Sequence, residues 1–230
     1  MDGRILDCAV IGDASKSKKI WAIGRQHPGE TMAQWWMEGY LDRLTDPDDP
    51  VVRQLLQQAV FYVVPNMNPD GSFRGYLRTN AAGKNLNREW ESPSIEHSPE
   101  VYCVRQKMQQ SGVDFCLDVH GDEAIAYNFI AGTEGINSWN EQRLQLQNQF
   151  KENLQFYNPD FQTTVGYPVS PSKSANYGIC SNYIAEYFNC PAMTLEMPFK
   201  DTELTPQPDA GWSARRSQML GRSCIELYTV

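Results

Sequence analysis

Short apolar runs alternate with longer amphipathic stretches along most of the chain, and this alternation restricts the fold more than any other feature. Strands are expected at residues 5–11, 19–25, 60–65, 115–120, 126–131 and 192–197. Each is rich in Val, Ile, Phe, Tyr or Cys and is bounded by Gly, Pro, Asn or Asp. Helices are expected at 30–44, 50–58, 99–111, 138–156, 176–188 and 213–229. In the first of these, Trp36, Tyr40, Leu41 and Leu44 recur at three- and four-residue steps, with Pro28 just ahead as a start signal. Apolar strands interleaved with helices imply a three-layer α/β/α fold whose mixed, mostly buried sheet is flanked by helices. No segment reads as a linker, so residues 1–230 are expected to form one domain. The Asp46–Pro50 run is expected to be a solvated turn, and residues 198–211 a surface crossing.

Charge and length exclude several classes. The 20 Lys and Arg against 28 Asp and Glu leave a formal net charge of −8, which argues against nucleic acid as the default partner. The longest apolar stretch, residues 59–64, is far short of the roughly 20 residues a bilayer requires, and no secretory signal opens the chain. Six scattered cysteines contain no Cys-x-x-Cys pair, so reduced buried thiols and a cytoplasmic location are expected.

The chemistry concentrates around two of the three histidines. His27 and His120 each end a strand candidate, where an α/β sheet opens its crevice to ligands. Glu30 follows His27 by three residues at a strand-to-helix corner, so an imidazole and a carboxylate can face one point. Two His and one Glu with a position left open to water are a catalytic zinc arrangement. The same residues also fit a helix-capping glutamate beside two hydrogen-bonded histidines. His97 lies in a loop-like segment with no motif, which suits an exposed or capping role.

Further motifs follow in order: Asn68-Pro69-Asp70-Gly71, the Asn87-Arg88 pair close to Trp90, Asp118-Val119-His120-Gly121, and Thr194-Leu195-Glu196. Together with His27-x-x-Glu30 they span residues 19–200. In this the sequence resembles the zinc metallocarboxypeptidases, the carboxypeptidase A-like family, and in particular the cytosolic-carboxypeptidase branch and its bacterial relatives. The resemblance implies one zinc ion held by His27, Glu30 and His120, with Glu196 as the catalytic glutamate. It implies that Asn87 and Arg88 grip the terminal carboxylate of a peptide or protein, and that Arg78 stabilises the charge developing on the scissile carbonyl oxygen. Arg74 is expected to be surface charge and Trp90 core packing. Asp118 either orients a ligand imidazole or is an unrelated polar strand residue.

The pattern also departs from the family. Where carboxypeptidase A-like enzymes carry an arginine just before the ligand glutamate, this chain has Gly29. Of Tyr167, Tyr177, Tyr183 and Tyr187, Tyr177 is the expected substrate-capping tyrosine by position. The pocket for the departing side chain is expected within residues 172–183, whose one cation is Lys173. Cytosolic relatives that remove glutamate would need a basic residue there. The resemblance further implies a β-sandwich domain ahead of the catalytic one, and this would lie outside the sequence. Two alternatives remain: a zinc amidohydrolase of the aspartoacylase and succinylglutamate desuccinylase kind, and a non-catalytic metal-binding module of the same fold.

Overall fold

The computed structural model describes residues 2–229. Six strands form one sheet in the order β1 (Ala9–Ile11), β3 (Ala59–Val64), β2 (Lys18–Gly24), β4 (Phe115–Asp122), β6 (Ala192–Pro198), β5 (Phe129–Ala131). The four central strands run parallel, and the two edges, β1 and β5, pair antiparallel. The expected mixed α/β/α sheet is therefore the observed one.

Strand alternation builds the layers. Along β2, Ile20 and Ala22 join one apolar cluster while Trp21 and Ile23 join another. On the first face lie α1 (Thr31–Leu44), α2 (Pro50–Leu55), α5 (Glu141–Tyr157) and α7 (Ala214–Cys224), contributing Trp36, Val52, Phe150 and Leu220 among others. On the second lie α4 (Pro99–Ser111) and α6 (Cys180–Tyr187), contributing Val101, Met108 and Ile184. Helices α1 and α7 approach so closely that a Cβ on Gly39 would collide with the backbone of Gln218, and one on Gly221 with the backbone of Trp36.

Several boundaries move inward from the sequence expectation. The first strand keeps only Ala9–Ile11 and the fifth only Phe129–Ala131. The last helix gives way at Ile225 to a 3-10 turn. Helix α5 begins at Glu141, where the Asn140 side chain accepts from the Arg143 N–H. A short helix, α3 (Pro69–Arg74), has no counterpart in the apolar pattern. Its cap builds it instead: Asn68 accepts from the Gly71 N–H, Pro69 occupies the first turn, and Gly75 ends it at φ 69°. All six cysteines are free thiols. Among the described residues no helix is long and apolar enough to cross a membrane.

Candidate metal centre and active site

The parallel register places the first two groups. His120 and Glu196 are direct partners on β4 and β6, and Asp118 pairs with Thr194 one step below. Leu117, Val119 and Leu195 point into the first apolar cluster, so these four polar side chains occupy the opposite face at the carboxyl end of the sheet. After β2 the chain turns through Arg25, at φ 56°, to bring His27 and Glu30 above the end of β4.

Glu30 occupies the N-cap of α1 but makes no side-chain cap bond. Its two oxygens go to the histidines instead, Oε1 to His27 Nδ1 at 2.5 Å and Oε2 to His120 Nδ1 at 2.8 Å. The Gly121 N–H also donates to Oε2, at 3.2 Å. The capping reading of Glu30 is thereby overturned. The ligand atoms of His27, Glu30 and His120 all lie within 4.8 Å of one another, and all three residues are buried.

The outer ring nitrogens explain how the site is held. His27 Nε2 lies 2.9 Å from Asn85 Oδ1, an oxygen that also accepts from the Asn87 N–H at 3.0 Å. That backbone donor fixes which end of the Asn85 amide faces the ring, so His27 donates from Nε2. His120 Nε2 lies 2.9 Å from Asp118 Oδ2 and donates to it. Gln26 Nε2 donates to the same Asp118 oxygen at 2.7 Å, and Trp90 Nε1 donates to Gln26 Oε1 at 2.9 Å. Asp118 therefore orients the imidazole, and Trp90 does more than fill the core. It anchors the chain of bonds that ends on His120.

With both Nε2 atoms donating outward, the two Nδ1 lone pairs meet 3.2 Å apart beside a carboxylate. That arrangement repels unless a cation, a proton or a metal ion, lies among them. Two imidazole nitrogens and one carboxylate, each imidazole held by an oxygen acceptor behind it, are a donor set that fits zinc. With no ion in place, a proton takes that position. Burial opposes charge on Glu30, but His120 and His27 hold its carboxyl down at about 2. Burial also opposes charge on His120, yet the Asp118 and Glu30 carboxylates outweigh it and raise its pKa well above the ordinary imidazole value.

Glu196 differs from Glu30. It is buried, its Oε2 has no hydrogen-bond partner among the described residues, and burial pushes its pKa up to about 8 against the opposing pull of His120. A cavity of about 470 Å³ opens beside it and is lined by His27, Glu30, His120, Glu196, Arg78, Asn87 and Arg88. The structure thus brings together seven of the eight residues singled out in the sequence. Among the described residues no carboxylate pairs with Arg78 or Arg88. Burial and the neighbouring Arg78 cation lower the pKa of Arg88, as two guanidinium groups facing one space should. Asn87 is partly committed, its Oδ1 accepting from the Cys180 N–H at 2.8 Å.

The eighth, Tyr177, lies elsewhere. Its hydroxyl accepts from the Asn137 N–H at 3.1 Å and its ring packs on the second apolar cluster. Tyr167 lines the cavity instead, with its hydroxyl 3.4 Å from Glu196 Oε1. Lys173 is exposed and does not line the cavity, whereas Lys151 of α5 does. Gly29 has no room for a longer residue, because a Cβ there would meet the Leu77 carbonyl at 2.9 Å.

The family model for zinc carboxypeptidases matches residues 1–218. The chain belongs to the zinc carboxypeptidase family. An uncharacterized Zymomonas mobilis protein is 51% identical over 227 residues, covering 99% of this chain and 59% of that protein. Mouse cytosolic carboxypeptidase 6 is 33% identical over 160 residues, covering 67% of this chain and 29% of that protein. The structure is also similar to a Pseudomonas aeruginosa metallo-carboxypeptidase solved in complex with (2-guanidinoethylmercapto)succinic acid. The TM-score is 0.95 and the identity 45%, over 98% of this chain and 60% of that one. A Burkholderia cenocepacia metallo-carboxypeptidase gives 0.94 and 45%, over 98% and 61%. The chain therefore spans about three fifths of the length of these bacterial relatives.

Proposed function

We propose that this chain is the catalytic domain of a zinc carboxypeptidase that releases the last residue of a peptide or protein. The observation that carries the reading is the buried His27–Glu30–His120 cluster directly beside Glu196, facing two arginines without carboxylate partners. Zinc held by those three groups supplies a Lewis acid that polarises a carbonyl and makes water more acidic. Glu196 takes the proton from the attacking water and returns it to the leaving amine nitrogen. To take that proton Glu196 must be ionised, and a cation held beside it by His27, Glu30 and His120 would favour that form against the burial that opposes it. Arg78 faces the oxygen on which charge develops, and Arg88 with Asn87 holds the free carboxylate of the chain end.

Lys151 supports a narrower substrate. It lines the same cavity, and burial lowers its pKa while Glu134 opposes that shift. A departing residue with an acidic side chain would pair with it, so peptides ending in Glu should be cleaved faster than those ending in Leu or Lys. Equal or reversed rates would remove this preference and leave the peptidase reading intact. A cytoplasmic location, supported by the likeness to cytosolic carboxypeptidases, belongs to the same proposal.

Zinc analysis of the purified chain, paired with terminal-residue release from a mixed peptide set, tests the reading. Bound zinc with release that Glu196→Gln abolishes is the expected result. Bound zinc without release from any peptide would support the non-catalytic module, and release only from N-acyl amino acids would support the amidohydrolase.

A further inference from the structure

Tyr167 is exposed over about half of its surface, yet its hydroxyl lies in the cavity between two carboxylates. It stands 2.6 Å from Asp122 Oδ2 and 3.4 Å from Glu196 Oε1. A phenol has one proton to give, and these distances assign it to Asp122. The Asp122 carboxylate is itself fixed. Its Oδ1 accepts from the backbone N–H groups of Ala124 at 2.8 Å and Ile125 at 2.5 Å, which closes the turn after β4. The Tyr167 ring stands edge-on to Phe129, with centroids 4.9 Å apart and planes at 82°. Phe129 in turn pairs with Glu196 across β5 and β6. Residues 163–174, which carry Tyr167, are exposed throughout and form neither helix nor strand. The buried Gln162 side chain pins the backbone of Thr164 and Val165, and beyond Val165 the contacts above fix where the phenol sits.

We propose that Asp122 is a positioning residue for Tyr167: it accepts the phenol's O–H hydrogen bond and so holds the hydroxyl oxygen beside Glu196 with its lone pairs facing the cavity. A hydrogen bond to a carboxylate is stronger than one between neutral groups, so it can hold an exposed side chain in one place. An oxygen held this way accepts an amide N–H from a bound chain without first being ordered, which lowers the cost of binding. The catalytic consequence rests on the peptidase reading above; the latch itself does not.

A double-mutant cycle in the zinc-loaded chain tests the proposal, using a peptide substrate with Asp122→Ala, Tyr167→Phe and the pair. Asp122→Ala should raise KM about tenfold, equivalent to about 1.4 kcal/mol, with kcat within about twofold. In the Tyr167→Phe background the same change should alter KM less than about twofold. An equal rise in both backgrounds would overturn the proposal, since Asp122 would then act through its turn alone. Fluorine NMR of 3-fluorotyrosine placed at residue 167 reads the latch without substrate or metal. Its resonance should shift and narrow in Asp122→Ala, and an unchanged resonance would overturn the latch whatever the kinetics. A shifted resonance in a chain that cleaves no peptide would uphold the latch and discard the peptidase reading.

Discussion

The two faces of the β4–β6 pair differ sharply, although the same two strands make both. Toward α1 and α7 the residues are Leu117, Val119, Leu195 and Met197, closed by helices packed close enough to require Gly39 and Gly221. Toward α4 and α6 they are Asp118, His120, Thr194 and Glu196, with two buried carboxylate oxygens, Asp118 Oδ1 and Glu196 Oε2, left without a hydrogen-bond partner among the described residues. Alternation lets one backbone serve as core and as chemistry. Rigid packing on the first side supports costly charged groups on the second, and each face should respond to substitution in its own way.

The largest expected effect separates the faces by activity. Glu196→Gln should lower kcat about 10²- to 10⁴-fold while leaving the thermal midpoint unchanged or higher, because a poorly solvated carboxylate is removed. Steady-state kinetics with calorimetry on one preparation checks both halves. A large fall in stability would mean that Glu196 belongs to the core after all. Next, Asp118→Asn should weaken zinc binding about 10- to 100-fold, measured by competition with a chromophoric chelator. Unchanged affinity would deny Asp118 its hold on His120.

On the other face, Gly39→Ala should cost about 1–3 kcal/mol of stability. Specific activity per folded molecule should persist, as judged by denaturant unfolding beside an activity assay. The smallest effect lies outside both faces. Arg216 donates to Asp160 at 3.0 and 2.7 Å. Burial raises the Asp160 pKa, but Arg216 and Thr205 outweigh it and lower the pKa below the ordinary value. A depressed carboxyl stabilises the fold above its unfolded pKa of about 3.9, and that contribution is lost as pH falls through the lower folded value. Asp160→Asn should therefore reduce stability at neutral pH and make little difference in strong acid. Urea midpoints across pH would reveal it, and a pH-independent difference would contradict it.

How much was legible follows the same division. The layers were readable because strand alternation and helical periodicity are local. The metal cluster was readable because its histidines lie near the carboxyl ends of β2 and β4 and the motifs follow one another in order. Tyr167 was not, since an irregular segment delivers it and no spacing rule separates it from Tyr177. Asn85 and Gln26 were missed because each acts through a hydrogen bond to a residue distant in sequence. For Lys151 a signal existed. It lies four residues after the buried Gln147 and three before the buried Leu154, which puts a cation on the inward side of α5. A charge on the core side of a helix needs a reason, and the cavity provides one.

The most direct measurement is a zinc titration of the metal-free chain, following terminal amino acid release from a peptide at each addition. Release should rise in proportion to zinc and level off at one equivalent, with no release from chain carrying His120→Ala. Release that ignores added zinc, or that survives the loss of His120, would contradict the account.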